Sequence, residues 1–169
     1  MLKLLLTTGL VAVGLAGASS AAEAQARNQV RIDQSGYSNE IAARMDGHRQ
    51  RLSISQRGGS HYVRTYQDGS RNAVGVAQSG RANTAFADQN GRRNEVVIGQ
   101  DGRNNWADSA QRGTNNIVGV AQIGDNHTAR TTQSGSNNAL GVIQVGEGQY
   151  SDVRQSGSGN VTLVIQGGH

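Results

Sequence analysis

One feature constrains this chain more than any other: a glutamine returns at a fixed spacing of 11 residues from Gln34 to Gln166, with no insertion or deletion. The series is Gln34, Gln56, Gln67, Gln78, Gln89, Gln100, Gln111, Gln122, Gln133, Gln144, Gln155 and Gln166, and of the thirteen frame positions only Met45 departs. Two residues after every frame position stands a glycine: Gly36, Gly47, Gly58, Gly69, Gly80, Gly91, Gly102, Gly113, Gly124, Gly135, Gly146, Gly157 and Gly168. Six residues before it stands asparagine in nine units, as Asn28, Asn39, Asn72, Asn83, Asn94, Asn105, Asn116, Asn138 and Asn160, while Gln50, His61, His127 and Gln149 fill the other four. The unit is Asn-x5-Gln-x-Gly-x2. A fixed period of this kind means that stacked units, and not one globular core, must bury the apolar side chains.

Inside the unit, counting Asn as zero, positions two and four are mostly apolar or small, as in Val74 and Val76, Val96 and Ile98, or Ala107 and Ser109. Side chains alternate along a strand, so Asn, positions two and four, and Gln share one face. The odd positions hold Arg, Asp, Glu, Tyr and Trp alongside Gly and Ala and point the other way. A helix would need apolar spacings of three and four, and Gly and Asn are poor helix formers. Glycine reaches positive φ at little cost, which suits the four residues that must reverse the chain between strands.

Alternate units differ in character. Asn72–Gln78, Asn116–Gln122 and Asn138–Gln144 are apolar or small on both faces, whereas Asn83–Gln89, Asn105–Gln111 and His127–Gln133 carry small inward and polar or aromatic outward residues. The true period is therefore 22, two strands per coil, and Val118 and Val120 are expected to face Ala107 and Ser109 across a thin core. The reading is an all-β, two-sheet parallel β-solenoid, amyloid-like, with thirteen strand-arc units between Asn28 and Gln166. At about 4.8 Å per stacked strand its length is roughly 30 Å. Asn is expected above Asn and Gln above Gln, their amides bonded along the axis as in cross-β ladders.

Such ladders answer a difficulty of composition. The 169 residues include 24 Gly, one Phe, one Trp and four Tyr, with no Pro and no Cys, so neither a large aromatic core nor disulfides can hold the chain. The N terminus stands apart. Lys3 precedes an apolar run over Leu4–Gly17, followed by small residues and two A-x-A sites, Ala22-Glu23-Ala24 and Ala24-Gln25-Ala26. This is the layout of a secretory leader, expected over residues 1–26 and cleaved after Ala24 or Ala26, leaving a repeat domain of residues 27–169. From Arg27 onward the chain has 15 Arg against 11 acidic residues, a net charge of +4 with the signs interspersed.

The succession Q-x-G-x-x-N, with five further residues before the next Gln, resembles the curlin repeat of bacterial curli fibres from Asn28 to Gln166. Ala85, Ala107 and Ala129 stand two residues after the Asn-slot residue, as is frequent in that family. The resemblance implies an extracellular functional amyloid, either the major or the nucleating subunit, on a cell-surface fibre. Its implied partners are itself, another curlin-type subunit, outer-membrane secretion and assembly factors, and host or abiotic surfaces. The implied roles are adhesion, aggregation and biofilm matrix. The repeat itself points the same way: no capping helix or irregular segment is expected beside Asn28 or Gln166, so the next subunit would cap each end by head-to-tail stacking. The stretch Asn39–Arg71, with Met45, Gln50, His61 and many Arg and Asp, is expected to nucleate poorly, and the clean units at Asn72–Gln78, Asn116–Gln122 and Asn138–Gln166 best.

Catalysis is not expected. His48, His61, His127 and His169 are dispersed, and His61 and His127 occupy ladder slots; metal sites need clustered ligands. Asp33, Asp88 and Asp108 recur with the frame on strand exteriors, Gly157-Ser158-Gly159 lacks a strand-to-helix context, and no calcium nonapeptide occurs. No cofactor is implied. An ice-binding column of outward Thr is missing from position one. The alternative is a basic secreted solenoid that binds extracellular DNA or other anionic polymers without forming fibres, suggested by a pI near 10.1.

Overall fold

The computed structural model describes residues 9–16 and 27–168. The described residues form strands only: β1 (Gly9–Ala16), β2 (Gln29–Tyr37), β3 (Asn39–His48), β4 (Arg51–Gly59), β5 (Tyr62–Ser70), β6 (Ala73–Arg81), β7 (Thr84–Arg92), β8 (Glu95–Arg103), β9 (Trp106–Thr114), β10 (Ile117–Asp125), β11 (Thr128–Ser136), β12 (Ala139–Glu147), β13 (Tyr150–Ser158) and β14 (Val161–Gly168). From β2 onward the chain alternates between two seven-stranded parallel sheets, β1-β3-β5-β7-β9-β11-β13 and β2-β4-β6-β8-β10-β12-β14. They are called the odd and the even sheet below. Every coil lies 22 residues after the one beneath it, so Gln78 pairs with Gln100 and Gln100 with Gln122. This is the two-sheet parallel β-solenoid that the repeat requires.

The expected leader, residues 1–26, lies mostly outside the described residues. Its apolar stretch Gly9–Ala16 is β1, which pairs in parallel with β3 out of the 22-residue frame, Gly9 beside Asn39 and Leu15 beside Met45.

The core is thin and asymmetric. The even sheet turns in branched side chains, Leu52 and Ile54, Val74 and Val76, Val96 and Ile98, Val118 and Val120, Leu140 and Val142, all buried. From β7 to β11 the odd sheet answers with Ala85 and Ala87, Ala107 and Ser109, Ala129 and Thr131, also buried. Large residues on one sheet meet small ones on the other, so two sheets close on each other at interior density without aromatic filling.

The arcs differ from the expected four-residue reversal. Strand pairing runs through the glycine, and only two residues, such as Ala82 and Asn83 between β6 and β7, lie outside the strands. Two positive-φ residues turn the chain: the frame glycine, at 118° in Gly113, and the residue before the Asn slot, at 56° in Asn115. At Gly113 an added Cβ would overlap the carbonyl oxygen of Gly135 one coil on, so glycine is required by the backbone stacking itself as well as by φ. The second position had no glycine to announce it. It is Ser38, Arg49, Ser60, Arg71, Ala82 and Arg93 in the early coils, then Asn104, Asn115, Asn126 and Asn137, then Gly148 and Gly159. Left-handed backbone costs a substituted residue about 1–2 kcal/mol, and Asn tolerates it better than Arg or Ala. The later arcs are thus the less strained.

Candidate functional site

The frame glutamines are inside and bonded to one another along the axis. On the even sheet an unbroken ladder runs from Gln34 through Gln56, Gln78, Gln100, Gln122 and Gln144 to Gln166, each Nε2 donating to the next Oε1 at 2.8–2.9 Å. On the odd sheet Gln67, Gln89, Gln111, Gln133 and Gln155 do the same at 2.7–3.0 Å. The second amide proton has a use the repeat did not disclose: it crosses to the other sheet. Gln100 Nε2 donates to the Thr84 carbonyl at 3.0 Å and Gln122 Nε2 to the Trp106 carbonyl at 3.0 Å. Most of the frame glutamines therefore tie coil to coil and sheet to sheet, Gln34, Gln111 and Gln133 being the ones without the crossing bond among the described residues. Such satisfaction is what allows amides to be buried without a desolvation penalty.

The asparagines do something else. An Asn-on-Asn amide ladder was expected; among the frame asparagines only Asn138 Nδ2 to Asn116 Oδ1, at 3.1 Å, has that form. The rest clamp the arcs. Asn72 Nδ2 donates to the Asp68 carbonyl at 2.8 Å and to the Gly91 carbonyl at 3.1 Å, while its Oδ1 accepts the backbone N–H of Asn94 at 3.1 Å. Asn83, Asn94, Asn105 and Asn116 also bond a glycine carbonyl of the coil above through Nδ2 and accept that coil's backbone N–H through Oδ1. The short side chain reaches backbone groups that its tight arc leaves unpaired, so apart from the Asn138–Asn116 contact its amide is spent on the backbone and not on its own kind. A side-chain Asn ladder does occur, but at the left-handed arc position, where Asn104 Nδ2 donates to Asn126 Oδ1 at 3.3 Å and Asn115 Nδ2 to Asn137 Oδ1 at 3.2 Å.

His61 and His127 stand in for Asn with both ring nitrogens engaged. Nε2 donates to the Arg57 carbonyl and to the Ile123 carbonyl respectively, each at 3.1 Å, and Nδ1 accepts the backbone N–H of Asn83 and of Gln149, each at 3.2 Å. Only the neutral ring with its proton on Nε2 satisfies this arrangement. Burial holds the His61 imidazole below its ordinary value, with the carbonyls of Arg57 and Gly80 pulling the other way. Met45 and Gln50 are poorer substitutes. Met45 lends no amide proton, and the buried Oε1 of Gln67 above it has no partner; the buried Oε1 of Gln50 has none either, although its Nε2 reaches the Asp46 and Gly69 carbonyls.

The outer faces are unlike. The odd face carries a tilted stack of Tyr62, Phe86 and Trp106 with ring centroids 5.8 and 5.9 Å apart, and Arg64 and Arg130 lie over Phe86 and Trp106 at 5.1 and 5.4 Å. Ion pairs join neighbouring coils there, Arg64 with Asp88 at 3.7 Å and Arg130 with Asp108 at 3.9 Å. The arginines are not scattered throughout, as their sequence spacing suggested. On the arcs leading from the odd to the even sheet, Arg71 N donates to the His48 carbonyl and Arg93 N to the Ser70 carbonyl, which places Arg49, Arg71 and Arg93 in one exposed axial column beside Arg92 and Arg112. Among the described residues no group of three or more His, Cys, Asp or Glu is arranged to hold a metal ion.

Two parallel in-register sheets wound from one chain, tied by internal amide ladders and closed by glycine arcs, define a parallel β-solenoid, a structural scaffold. The curlin associated repeat family model matches residues 62–91, 80–108 and 91–135, so this span of the chain carries curlin-type repeats. These spans run from β5 to β11, where the Gln ladders and the Asn-slot clamps are continuous. No curated protein matches the chain in sequence.

Proposed function

We propose that this protein is a structural subunit of an extracellular curli-like amyloid fibre, polymerising head to tail in cell adhesion, aggregation and biofilm matrix. The observation that carries the reading is the direction of the ladders. Every Gln-to-Gln bond in them runs from the lower-numbered donor to the higher-numbered acceptor, so the two ends of the stack are unlike. At one end Gln166 has an amide proton beyond the one it gives to the Tyr150 carbonyl; at the other Gln34 turns Oε1 outward. Among the described residues nothing pairs with the outer edges of β2, β13 or β14, and the core side chains there, Val30, Ile32, Val153 and Val164, are only partly buried. Each end suits the opposite end of another copy and not its own kind, which is a heterologous, non-closing contact. Self-association, co-assembly with another curlin-type subunit, and contacts with outer-membrane secretion factors and with host or abiotic surfaces belong to the same reading. So does secretion by a leader over residues 1–26, removed on export. In the unprocessed chain β1 covers the outer edge of β3, and its removal would bare that edge for stacking.

Dilution of the purified repeat domain from denaturant, followed by thioflavin fluorescence and fibre diffraction, tests the proposal. The expected result is fibrils with a meridional reflection at about 4.7–4.8 Å. A folded monomer that persists at high concentration would contradict it. A second reading has its own observation. The column of Arg49, Arg71 and Arg93 is a basic ridge suited to extracellular DNA or other anionic polymers, with or without fibres. Steeply salt-dependent binding, weakened by R71S, would support it.

A further inference from the structure

The outer face of the even sheet is apolar from β6 to β14. Its exposed large side chains are Val97, Ile117, Ile123, Val145, Val161, Leu163 and Ile165, the last three 62–81% exposed; Glu95 and Asp101 are the charges on its flat part, and Arg81, Arg103, Asp125 and Glu147 stand at the strand ends along one edge. The odd face over the same coils carries Arg64, Asp88, Asp108, Arg130, Asp152 and Arg154. A continuous apolar surface on one side of a molecule marks an interaction site. A groove of about 380 Å³ crosses the face over Ala77, Gly99 and Ala121, bounded by Ile123 on one side and by Arg57 and Asp101.

From these features we propose that this face is the lateral interface between two stacks of this same chain, an inference that rests on the fibre reading above. Size and period commit the occupant to a second copy. The face is bulky at its β12–β14 end, with Ile143, Leu163 and Ile165, and lower at its β6–β8 end, where Gly75, Ala77 and Gly99 lie beside Val97. A neighbour lying antiparallel sets the bulky end of each copy on the lower end of the other, the mark of an isologous contact. Ridges and hollows recur once per coil, at about 4.8 Å, and another strand stack has that same repeat. The glycines agree with a close external neighbour. Gly75, Gly99 and Gly119 sit in extended backbone, and within this chain a Cβ would meet nothing within 4 Å at Gly99 or Gly119 and only Val97 at 4.0 Å at Gly75. Glycine weakens a strand interior unless another backbone must come near.

Area decides when the contact forms. Five strands at about 4.8 Å, each about 20 Å wide, offer roughly 500 Å² per copy, short of the about 800 Å² per partner of a stable pair. Single copies are therefore expected to stay unpaired, and stacks to pair because the area adds along them. The test is mass per length of filaments by scanning transmission electron microscopy, for the unaltered protein and for G99K/G119K, whose new side chains enter open space. Unaltered filaments should have at least twice the mass per length of one coil stack. The variant should fall to the single-stack value while keeping its thioflavin signal and meridional reflection. Single-stack mass in the unaltered protein, or doubled mass that persists in the variant, overturns the pairing alone. Absence of filaments from the unaltered protein overturns the fibre reading with it.

Discussion

At the scale of single residues, stability is a matter of how completely each buried amide is used. The two defects identify themselves by an unpaired oxygen. Met45→Gln should supply the proton that Gln67 Oε1 lacks, and Gln50→Asn should restore the acceptor for the backbone N–H of Asn72. Each change is expected to stabilise the solenoid by about 1 kcal/mol, the usual worth of satisfying a buried polar atom, measured as a rise in the chemical denaturation midpoint. The His61 slot adds a pH dependence. The folded state favours neutral His61 and the unfolded chain does not, so below the ordinary histidine value the unfolded state binds the extra proton. Stability should therefore be complete above about pH 6.5 and decline as the pH falls through the window beneath it. His61→Asn keeps the clamp without the titration and should flatten that part of the profile in thermal unfolding between about pH 5 and 7.5. An unchanged slope would remove His61 as its source.

At the scale of the element, the unit is one strand and one arc, and its glycines fall into two kinds with opposite expectations. Gly113→Ala drives a Cβ into the Gly135 carbonyl from a positive-φ backbone and should cost at least about 2 kcal/mol. Gly119→Ala adds a methyl to extended backbone over open space and should leave the unpaired solenoid unchanged or up to about 1 kcal/mol more stable. Comparable losses in both would refute the distinction. Arc strain and ladder defects fall together in the early coils. Fibril lag times should accordingly be longer for a peptide over residues 39–71 than for one over residues 116–166; equal times would contradict this. Much of the element was legible in the chain. The frame of Gln67, Gln78 and Gln89 dictates strand length, inward face and coil period, because a parallel in-register stack repeats every residue type above itself. The second arc turn was not legible, since Arg71 and Ala82 have no preference for left-handed backbone and adopt it under the constraint of neighbouring coils. Nor was the clamp made by Asn72, because its partners, Asp68 O and Gly91 O, are backbone atoms that no residue type announces.

At the scale of the whole molecule, the proposed head-to-tail fibre rests on directional ladders and on the strand edges left open among the described residues. The contrast between the charged, aromatic odd face and the apolar even face was only half visible beforehand. The 22-residue alternation showed two kinds of unit, but which outward residues align into faces follows from the winding. The same winding collects Arg49, Arg71 and Arg93 into a ridge although they are far apart in the chain. Helical reconstruction of filaments by electron cryomicroscopy tests the fibre reading most directly. The expected result is layers about 4.8 Å apart in which one chain supplies both strands of each coil, several successive coils belonging to one subunit, joined end to end with the Gln ladders continuous across the junction. A filament in which each layer is a separate extended chain, or a protein that never leaves the monomer, would contradict it.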